Sequence, residues 1–326
     1  MQAVVMSGYG DTSVLTLSQC SDPRPPEDEL LVAVKAAGIN RADIMQRRGY
    51  YPPPPGASEI LGLEIAGEVV AFGSKCSQFK KGDRVFGLVE GGGYGSLCTI
   101  KEGMAMATPE HWSDSFAASI PETFYTANET LCTVGDLKSG EEVLIHAGGS
   151  GVGSTAIQMA VLMGARVATT ASSDSKLARC AKLGADLCIN YKQQDFVAEC
   201  LRWSNGSGPN LVLDFIGGAY LERHLEVLRP QGRLVVIGLL GGASAPLNLS
   251  LLLRKRIQIK GSVMRSLLFA DKLAIKARFL EKWLPSLLNK SIEPIICEEF
   301  PLANVRDAHE VMEQSTHFGK LILNFV

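Results

Sequence analysis

The chain has 326 residues, 46% of them hydrophobic and 20% charged, an ordinary globular composition with enough length for two hydrophobic cores. Its 32 basic and 34 acidic residues leave a formal charge of −2, which removes any electrostatic ground for expecting nucleic acid or an anionic membrane. No apolar run approaches the roughly 20 residues of a membrane-spanning helix, and the opening MQAVVMSGYG lacks the basic and long apolar segments of a secretory signal.

Up to about Pro121, short apolar runs alternate with glycine and proline. Residues 3–6, 14–18, 30–36, 64–71, 84–89 and 95–100 read as strands, which suggests a compact, partly open barrel. Residues 40–46, NRADIMQ, read as a short helix with Asn40 in the N-cap position. The stretch 47–58, RRGYYPPPPGAS, is a stiff polyproline loop with no backbone donors for a sheet. It holds Tyr50 and Tyr51 in a defined place, although a surface linker with solvent-facing tyrosines has the same composition. A short helix near 113–120 leads to Pro121, which marks the domain switch, and a second helix covers 125–134.

The stretch 141–164, EEVLIHAGGSGVGSTAIQMAVLMG, organises the rest. Val143, Leu144 and Ile145 have the look of a buried parallel strand, and residues 155–162 carry apolar side chains at helical spacing. Between them Gly148, Gly149, Ser150, Gly151, Val152 and Gly153 form a turn whose N–H groups, at a helix start, attract an anion. A side chain at Gly148 or Gly153 would hold off a pyrophosphate or the neighbouring strand. The register Gly148, Ser150, Gly153 puts serine at the middle glycine position, and a tight packing turn has the same composition. The flanking strand and helix are the context that a dinucleotide cradle requires.

Beyond it, strands at 166–170, 187–191, 210–215, 233–238 and 257–261 alternate with helices at 175–183, 195–203 and 220–228. That alternation predicts an α/β fold, a doubly wound parallel sheet with ligands at the strands' C-terminal ends. One long amphipathic helix is expected over 271–288. A strand at 295–300, a helix at 304–314 and a strand at 320–326 resemble the first domain's elements and are expected to return to it.

The second strand of this sheet ends Thr170-Ala171-Ser172-Ser173, without the carboxylate that usually binds the adenosine ribose. Lys176 and Arg179 follow on one helical face. Small hydroxyls and a cation suit a 2′-phosphate, hence NADPH (NADP) over NADH; Asp174 argues the other way, and Lys176 also reads as an ordinary solvated lysine. Tyr191 suits an adenine face or a sheet-edge gap equally. Eight scattered cysteines without a C-x-x-C pair read as reduced, buried hydrophobes of a cytosolic protein. The five histidines have no metal-ligand spacing.

The stretches NRADIMQRRGYYPPPPGAS, ILGLEIAGEV, KKGDRVFGLVEGGGYGSL, AASIPETFYTA, VLIHAGGSGVG, KLGAD with INYK, DFIGG and GKLIL span the chain in order. Together they resemble the zinc-free quinone oxidoreductases of the medium-chain dehydrogenase/reductase superfamily, nearest the p53-inducible branch and more distantly the zeta-crystallins. The resemblance implies a GroES-like β-rich catalytic domain from residues 1–121 and 263–326 around a Rossmann domain at 122–262. It also implies a cytoplasmic homodimer joined through the Rossmann sheets, with the nicotinamide in an interdomain cleft. Zinc-dependent relatives have cysteine where this chain has Ile39 or Asn40 and histidine at Leu63, and the structural-zinc lobe has no counterpart between Gly91 and Gly103. No metal is expected, and with it goes the chemistry in which zinc polarises an alkoxide.

By the same resemblance Tyr51 lines the quinone pocket, with Asn40 and Asp43 shaping the cleft, and Met45 and Thr126 flank the nicotinamide. Ser150 to Gly153 take the pyrophosphate; Ser173, Lys176 and Tyr191 take the adenosine end. Gly238, Leu239, Val263 and Lys320 complete the cofactor site. Ser172 replaces a glycine and crowds the 2′-phosphate turn. The expected reaction is hydride delivery from NADPH to a quinone, which itself stabilises the arriving charge. Two alternatives stand beside it: an enone reductase, for which Tyr51 is the visible proton donor, and a non-catalytic, crystallin-like NADPH-binding protein.

Overall fold

The computed structural model describes residues 1–325, and the chain divides into two units. The first holds Met1–Thr123, Arg265–Ala277 and the segment from Pro294 onward; the second holds Phe124–Met264 and Arg278–Glu293.

The first unit opens with the antiparallel pair β1 (Gln2–Met6) and β2 (Leu15–Gln19). Then come β3 (Glu29–Ile39), α1 (Arg41–Arg47), β4 (Glu64–Phe72), β5 (Arg84–Leu88), β6 (Leu97–Lys101) and β7 (Ala105–Ala107). Leu30, Val32 and Val34 alternate inward along β3, the period of a strand with one face on a core. β3 pairs antiparallel with both β4 and β6, β4 with β5, and β5 with β7. The short helix α2 (Asp114–Ala118) is capped by Ser113, whose hydroxyl accepts the Phe116 N–H. α3 (Pro121–Asn128) begins on the proline expected to separate two helices. In a first turn the missing N–H removes no intrahelical bond, so Pro121 starts this helix, which runs on as a π-helical turn, Glu129–Val134.

The second unit alternates β8 (Glu142–Ile145), α4 (Gly151–Leu162), β9 (Arg166–Ala171), α5 (Asp174–Lys182), β10 (Leu187–Asn190), α6 (Phe196–Trp203), β11 (Leu211–Asp214), α7 (Leu221–Val227), β12 (Arg233–Val236), α8 (Leu249–Lys255) and β13 (Gln258–Gly261). The sequence reading lacks α8. All six strands are parallel, in the order β10-β9-β8-β11-β12-β13. Strand order reverses between β8 and β11, the switch point where doubly wound sheets bind ligands. Leu144, Ala168, Val212 and Leu234 from four strands pack with Phe196 on α6 and Leu225 on α7.

The single helix expected over 271–288 is two, α9 (Phe269–Lys282) and α10 (Leu284–Leu288). Pro285 has no N–H with which to continue the ladder. Residues 278–293 lie in the second unit, whereas the sequence reading carried everything after 262 to the first. The tail does return to the first sheet. β14 (Ile296–Pro301) pairs parallel with β15 (Lys320–Asn324), α11 (Val305–Gln314) lies between them in the chain, and β15 pairs antiparallel with β3. Among the described residues the sheet is the open path β14-β15-β3-β4-β5-β7 with β6 on β3. Val326, expected in the last strand, lies outside the described residues.

Candidate active site

Where β3 gives way to α1, the chain buries a polar network. The Asn40 N–H donates to Asp43 Oδ2 at 2.7 Å, the backbone half of a capping box. Asp43 also accepts the Gly62 N–H and the Tyr94 hydroxyl, each at 3.1 Å. Burial pushes its carboxyl up to about 6 against the pull of those donors and of Lys320. Tyr94 in turn lies 3.2 Å from His309 Nε2, and His309 Nδ1 lies 3.2 Å from Arg47. Arginine only donates, so His309 carries its proton on Nε2, and burial holds this imidazole neutral, down to about 3. Arg47 closes the chain on Glu313.

The Asn40 side chain faces the other way. Its Nδ2 donates to Glu64 Oε1 at 2.9 Å and its Oδ1 accepts from Lys320 Nζ at 2.7 Å. Lys320 donates also to Glu64 Oε1 at 2.5 Å and to the Ile39 carbonyl at 3.0 Å. Glu64 and Lys320 are 0% and 3% exposed. Gly38 makes room for this pair, since a Cβ there would stand 2.0 Å from Glu64 Oε1. The second Glu64 oxygen accepts the Glu122 N–H at 2.8 Å, one of the first-turn donors that α3 leaves unpaired. Burial, and then the Glu64 charge, lift the Glu122 carboxyl to about 8.

Arg265 clamps the polyproline loop, donating to the Tyr51 carbonyl at 3.1 Å and to the Glu90 carbonyl at 2.9 Å. Its guanidinium also lies 5.2 Å from the Tyr51 ring centroid. Burial, and then Glu122, push the Tyr51 phenol up to about 12. Tyr51 is half-buried while Tyr50 is exposed, so the two tyrosines part company.

In the second unit Ser150 caps α4. Its hydroxyl accepts the Gly153 N–H at 2.9 Å and donates to the Ala147 carbonyl at 2.8 Å. The N–H groups of Gly151 and Val152, also in the first turn, have no intrahelical acceptor. A Cβ at Gly148 would meet Thr169 Oγ1 at 2.1 Å, and one at Gly153 the Ala147 carbonyl at 2.2 Å. Both glycines therefore close the turn onto its own strand and onto β9, which leaves the small concave turn that an anion fits. Ser173, after Ser172, caps α5 by accepting the Lys176 N–H. The Asp174 carboxylate accepts from Asn190 Nδ2 at 2.9 Å. Tyr191 is hydrogen-bonded to the end of β9 through the Ala171 carbonyl and keeps an exposed ring.

The glycine loops after β11 and β12 are joined by Gly241 N–H to Ile216 O and Gly218 N–H to Gly242 O. Leu239, beside Gly238, and Val263 are exposed. Thr126 is buried, its carbonyl taken by the Thr130 hydroxyl, and Met45 is half-buried on α1.

The structure thus gathers Asn40, Asp43 and Lys320 in the first unit, and the turn residues, Ser172, Ser173, Lys176 and Tyr191 around neighbouring strand ends of the second. Lys320, grouped with the cofactor ligands in the sequence reading, spends its three donors on Ile39, Asn40 and Glu64. Glu64, Tyr94, Glu122, Arg265 and His309 were missed. Glu64 and Glu122 lie inside the quoted stretches ILGLEIAGEV and AASIPETFYTA, so a search for carboxylates there would have found them. Arg265 carries no sequence signal. Among the described residues no three His, Cys, Asp or Glu side chains are placed to hold a metal ion. None of their helices is long and apolar enough to cross a membrane. All eight cysteines are unpaired, but Cys297, expected inside, is exposed on β14.

The sequence matches the family "Zinc-binding dehydrogenase" over residues 151–279 and "Alcohol dehydrogenase GroES-like domain" over residues 26–117. It is 31% identical over 97% of its length to a phenolphthiocerol/phthiocerol polyketide synthase polypeptide of Mycobacterium tuberculosis, of which it spans 14%. It is 27% identical to the Homo sapiens quinone oxidoreductase, over 99% of this chain and 97% of that one. The crystal structure of the Escherichia coli quinone oxidoreductase complexed with NADPH superimposes with a TM-score of 0.91 at 28% identity, covering 100% of both chains. With its GroES-like first unit, its six-stranded parallel sheet in the second and these relatives along its whole length, the chain has the two-domain architecture of the medium-chain dehydrogenase/reductases and is similar to their quinone oxidoreductases.

Proposed function

We propose that the chain is an NADPH-dependent quinone oxidoreductase. The observation that carries the reading is the adenosine corner, where Ser173, next to Ser172, caps α5 by accepting the Lys176 N–H and Asp174 accepts from Asn190 Nδ2. The Ser172 and Ser173 hydroxyls and the Lys176 cation are the groups this stretch offers a 2′-phosphate. The Gly151 and Val152 N–H groups take the pyrophosphate, with Gly148, Gly149, Ser150 and Gly153 shaping the turn. Tyr191 covers the adenine, Thr126 flanks the nicotinamide, and Gly238, Leu239 and Val263 complete the cofactor site. The likeness to a quinone oxidoreductase solved with NADPH supports the same assignment.

When bound, NADPH supplies a hydride; this chain's residues bind, orient and exclude water. Tyr51, kept as a neutral phenol and clamped by Arg265, donates a hydrogen bond to a quinone oxygen. Asn40 and Asp43 fix the start of α1, and Lys320 is a positioning residue that holds Asn40 and Glu64. β13 is an edge strand with exposed Ile259, next to exposed Leu247, Leu249 and Leu253. An apolar edge of this kind calls for a second copy, which supports a homodimer through this sheet. Eight unpaired thiols suit the reducing cytoplasm.

Lys176→Ala tests the reading. Losing a charge-assisted bond to the phosphate raises the KM for NADPH about tenfold or more and leaves that for NADH within about twofold. Equal increases for both, measured with 1,2-naphthoquinone as acceptor, refute the assignment.

A further inference from the structure

Given the NADPH reading above, we infer that Asp214, His224, His146 and Thr170 form one proton-ordered chain that ties together the cofactor turns of the second unit. His146 and His224 are then positioning residues for the dinucleotide, and cofactor affinity falls when the chain takes up a proton.

Three neighbouring strands bring the chain together. Thr170 lies on β9, His146 directly follows β8 and Asp214 ends β11, strands that stand side by side at the switch point. His224 comes from α7. Thr170 Oγ1 lies 2.9 Å from His146 Nδ1, and His146 Nε2 lies 2.9 Å from His224 Nε2. His224 Nδ1 stops 3.6 Å from Asp214 Oδ2, a buried nitrogen with no hydrogen-bond partner among the described residues. All four residues are at most 2% exposed. Each end of the chain holds a turn. The Thr170 carbonyl accepts the Gly148 N–H of the pyrophosphate turn at 3.0 Å. Asp214 Oδ1 accepts the Ile216 and Gly217 N–H groups at 2.7 and 3.0 Å, which sets the glycine loop tied to Gly241 and Gly242.

Neither ring takes a second proton. Burial, then the partner ring and Arg223, hold His146 well below the usual imidazole range, and burial with Arg223 holds His224 down to about 3. Arg223, on α7, is paired with Asp195 at 2.9 Å and lies over the Phe196 ring of α6. The Tyr220 ring, in the turn before α7, meets both histidines edge-on. These, with Asp214, are the charged and titratable groups facing the pair. Each imidazole therefore carries one proton. A bare Nδ1 facing an ionised carboxylate is repelled, which leaves two arrangements. In the first, the Thr170 hydroxyl donates to His146 Nδ1, His146 Nε2–H donates to His224 Nε2, and His224 Nδ1–H faces the Asp214 carboxylate. In the second, Asp214 carries a proton on Oδ2, facing His224 Nδ1. His224 Nε2–H then donates to His146 Nε2, and His146 Nδ1–H donates to Thr170 Oγ1. The two differ by one proton, taken from water onto Asp214, and by the tautomer of both rings. Burial lifts the Asp214 carboxyl to about 6 against the pull of the Gly217 and Ile216 N–H groups, so the first arrangement holds at neutral pH and the second in acid. On protonation the bonds to Ile216 and Gly217 lose their charge assistance, about half their strength.

The test uses the full chain with NADH, because the 2′-phosphate of NADPH itself titrates at about pH 6. Quenching of intrinsic fluorescence gives Kd on either side of that pH. Wild-type affinity for NADH falls about three- to tenfold as pH drops through about 6. Asp214→Asn, which cannot ionise, binds NADH at the low-pH affinity throughout. His224→Phe keeps a ring but removes the N–H that faces Asp214, so the step moves to higher pH; a ring that only fills space would leave it in place. ¹⁵N NMR of histidine-labelled wild type, recorded without cofactor, reads the tautomers. Above the step His146 is protonated on Nε2 and His224 on Nδ1, and below it both reverse. Tautomers that stay fixed through the range, or a ring protonated on both nitrogens, overturn the inference. An NADH affinity that is flat while binding is intact overturns it too, and leaves the NADPH reading standing. Binding of neither dinucleotide at any pH overturns the NADPH reading, and the NMR titration then decides the chain by itself.

Discussion

Replacing Lys320 by methionine keeps most of the buried stem and deletes the charge. Three acceptors lose their partner at once: the Ile39 carbonyl, Asn40 Oδ1 and Glu64 Oε1. An orphaned buried acceptor costs about 1–3 kcal/mol, and removing one partner of a buried ion pair costs about 3–5 kcal/mol. These overlap, and Glu64 keeps its bonds from Asn40 Nδ2 and the Glu122 N–H, so about 3–4 kcal/mol is the expected loss. In a domain of this size that lowers Tm by roughly 6–16 °C. Urea unfolding of the full chain reads it as a fall in midpoint with unchanged slope. Glu64→Gln combined with Lys320→Met regains part of the loss, because the stranded charge is gone. NADPH affinity, measured by quenching of intrinsic fluorescence, stays within about threefold, a difference below 1 kcal/mol. A Lys320→Met protein as stable as wild type but unable to hold NADPH refutes the positioning role and restores Lys320 to the cofactor site.

Gly38→Ala drives a methyl into Glu64 Oε1 and is expected to cost about 1–3 kcal/mol by overpacking; a midpoint equal to wild type shows that Glu64 is not confined there. The Glu122 carboxyl holds its proton up to about pH 8 in the folded chain but loses it near 4.5 when unfolded. Between those values the folded state binds the extra proton, so stability falls as pH rises, by at most about 1.4 kcal/mol per unit. Glu122→Gln removes that slope, and identical pH profiles of the urea midpoint in the two proteins contradict the raised carboxyl. Ile259→Lys places a charge on the exposed edge of β13 and converts a dimer to a monomer in light scattering; a wild type that is already monomeric sinks the interface.

Local patterns were legible. Val143 to Ile145 read as a buried parallel strand because both its faces are covered, and the turn that follows shows itself in glycines that only a close strand requires. Asn40 was readable as a cap because capping chemistry acts within four residues. The helix break at Pro285 was in plain view, but the apolar spacing on either side masked it. Cys297 was misplaced because its neighbour Ile296 suggested a core, whereas β14 is an edge strand with little covering it. The polar network was out of reach for a different reason. Glu64 and Lys320 are 256 residues apart, and the state of Glu122 is set by groups on β4, β15 and α1. No window along the chain contains that information.

The same separation has a consequence for how the protein is made. At a translation rate of about 5–20 residues per second, Glu64 leaves the ribosome tens of seconds before its counter-ion exists. The nascent β3 and β4 must wait with a carboxylate and a sheet edge both unsatisfied, while the intervening dinucleotide unit, drawn mostly from one continuous span, is free to fold first. The last strand to be synthesised is then the one that neutralises an early charge and extends the early sheet beside β3. Chaperone demand is expected to concentrate on that interval, and arrested chains lacking β15 should be captured by holdases in proportion to the time they spend there.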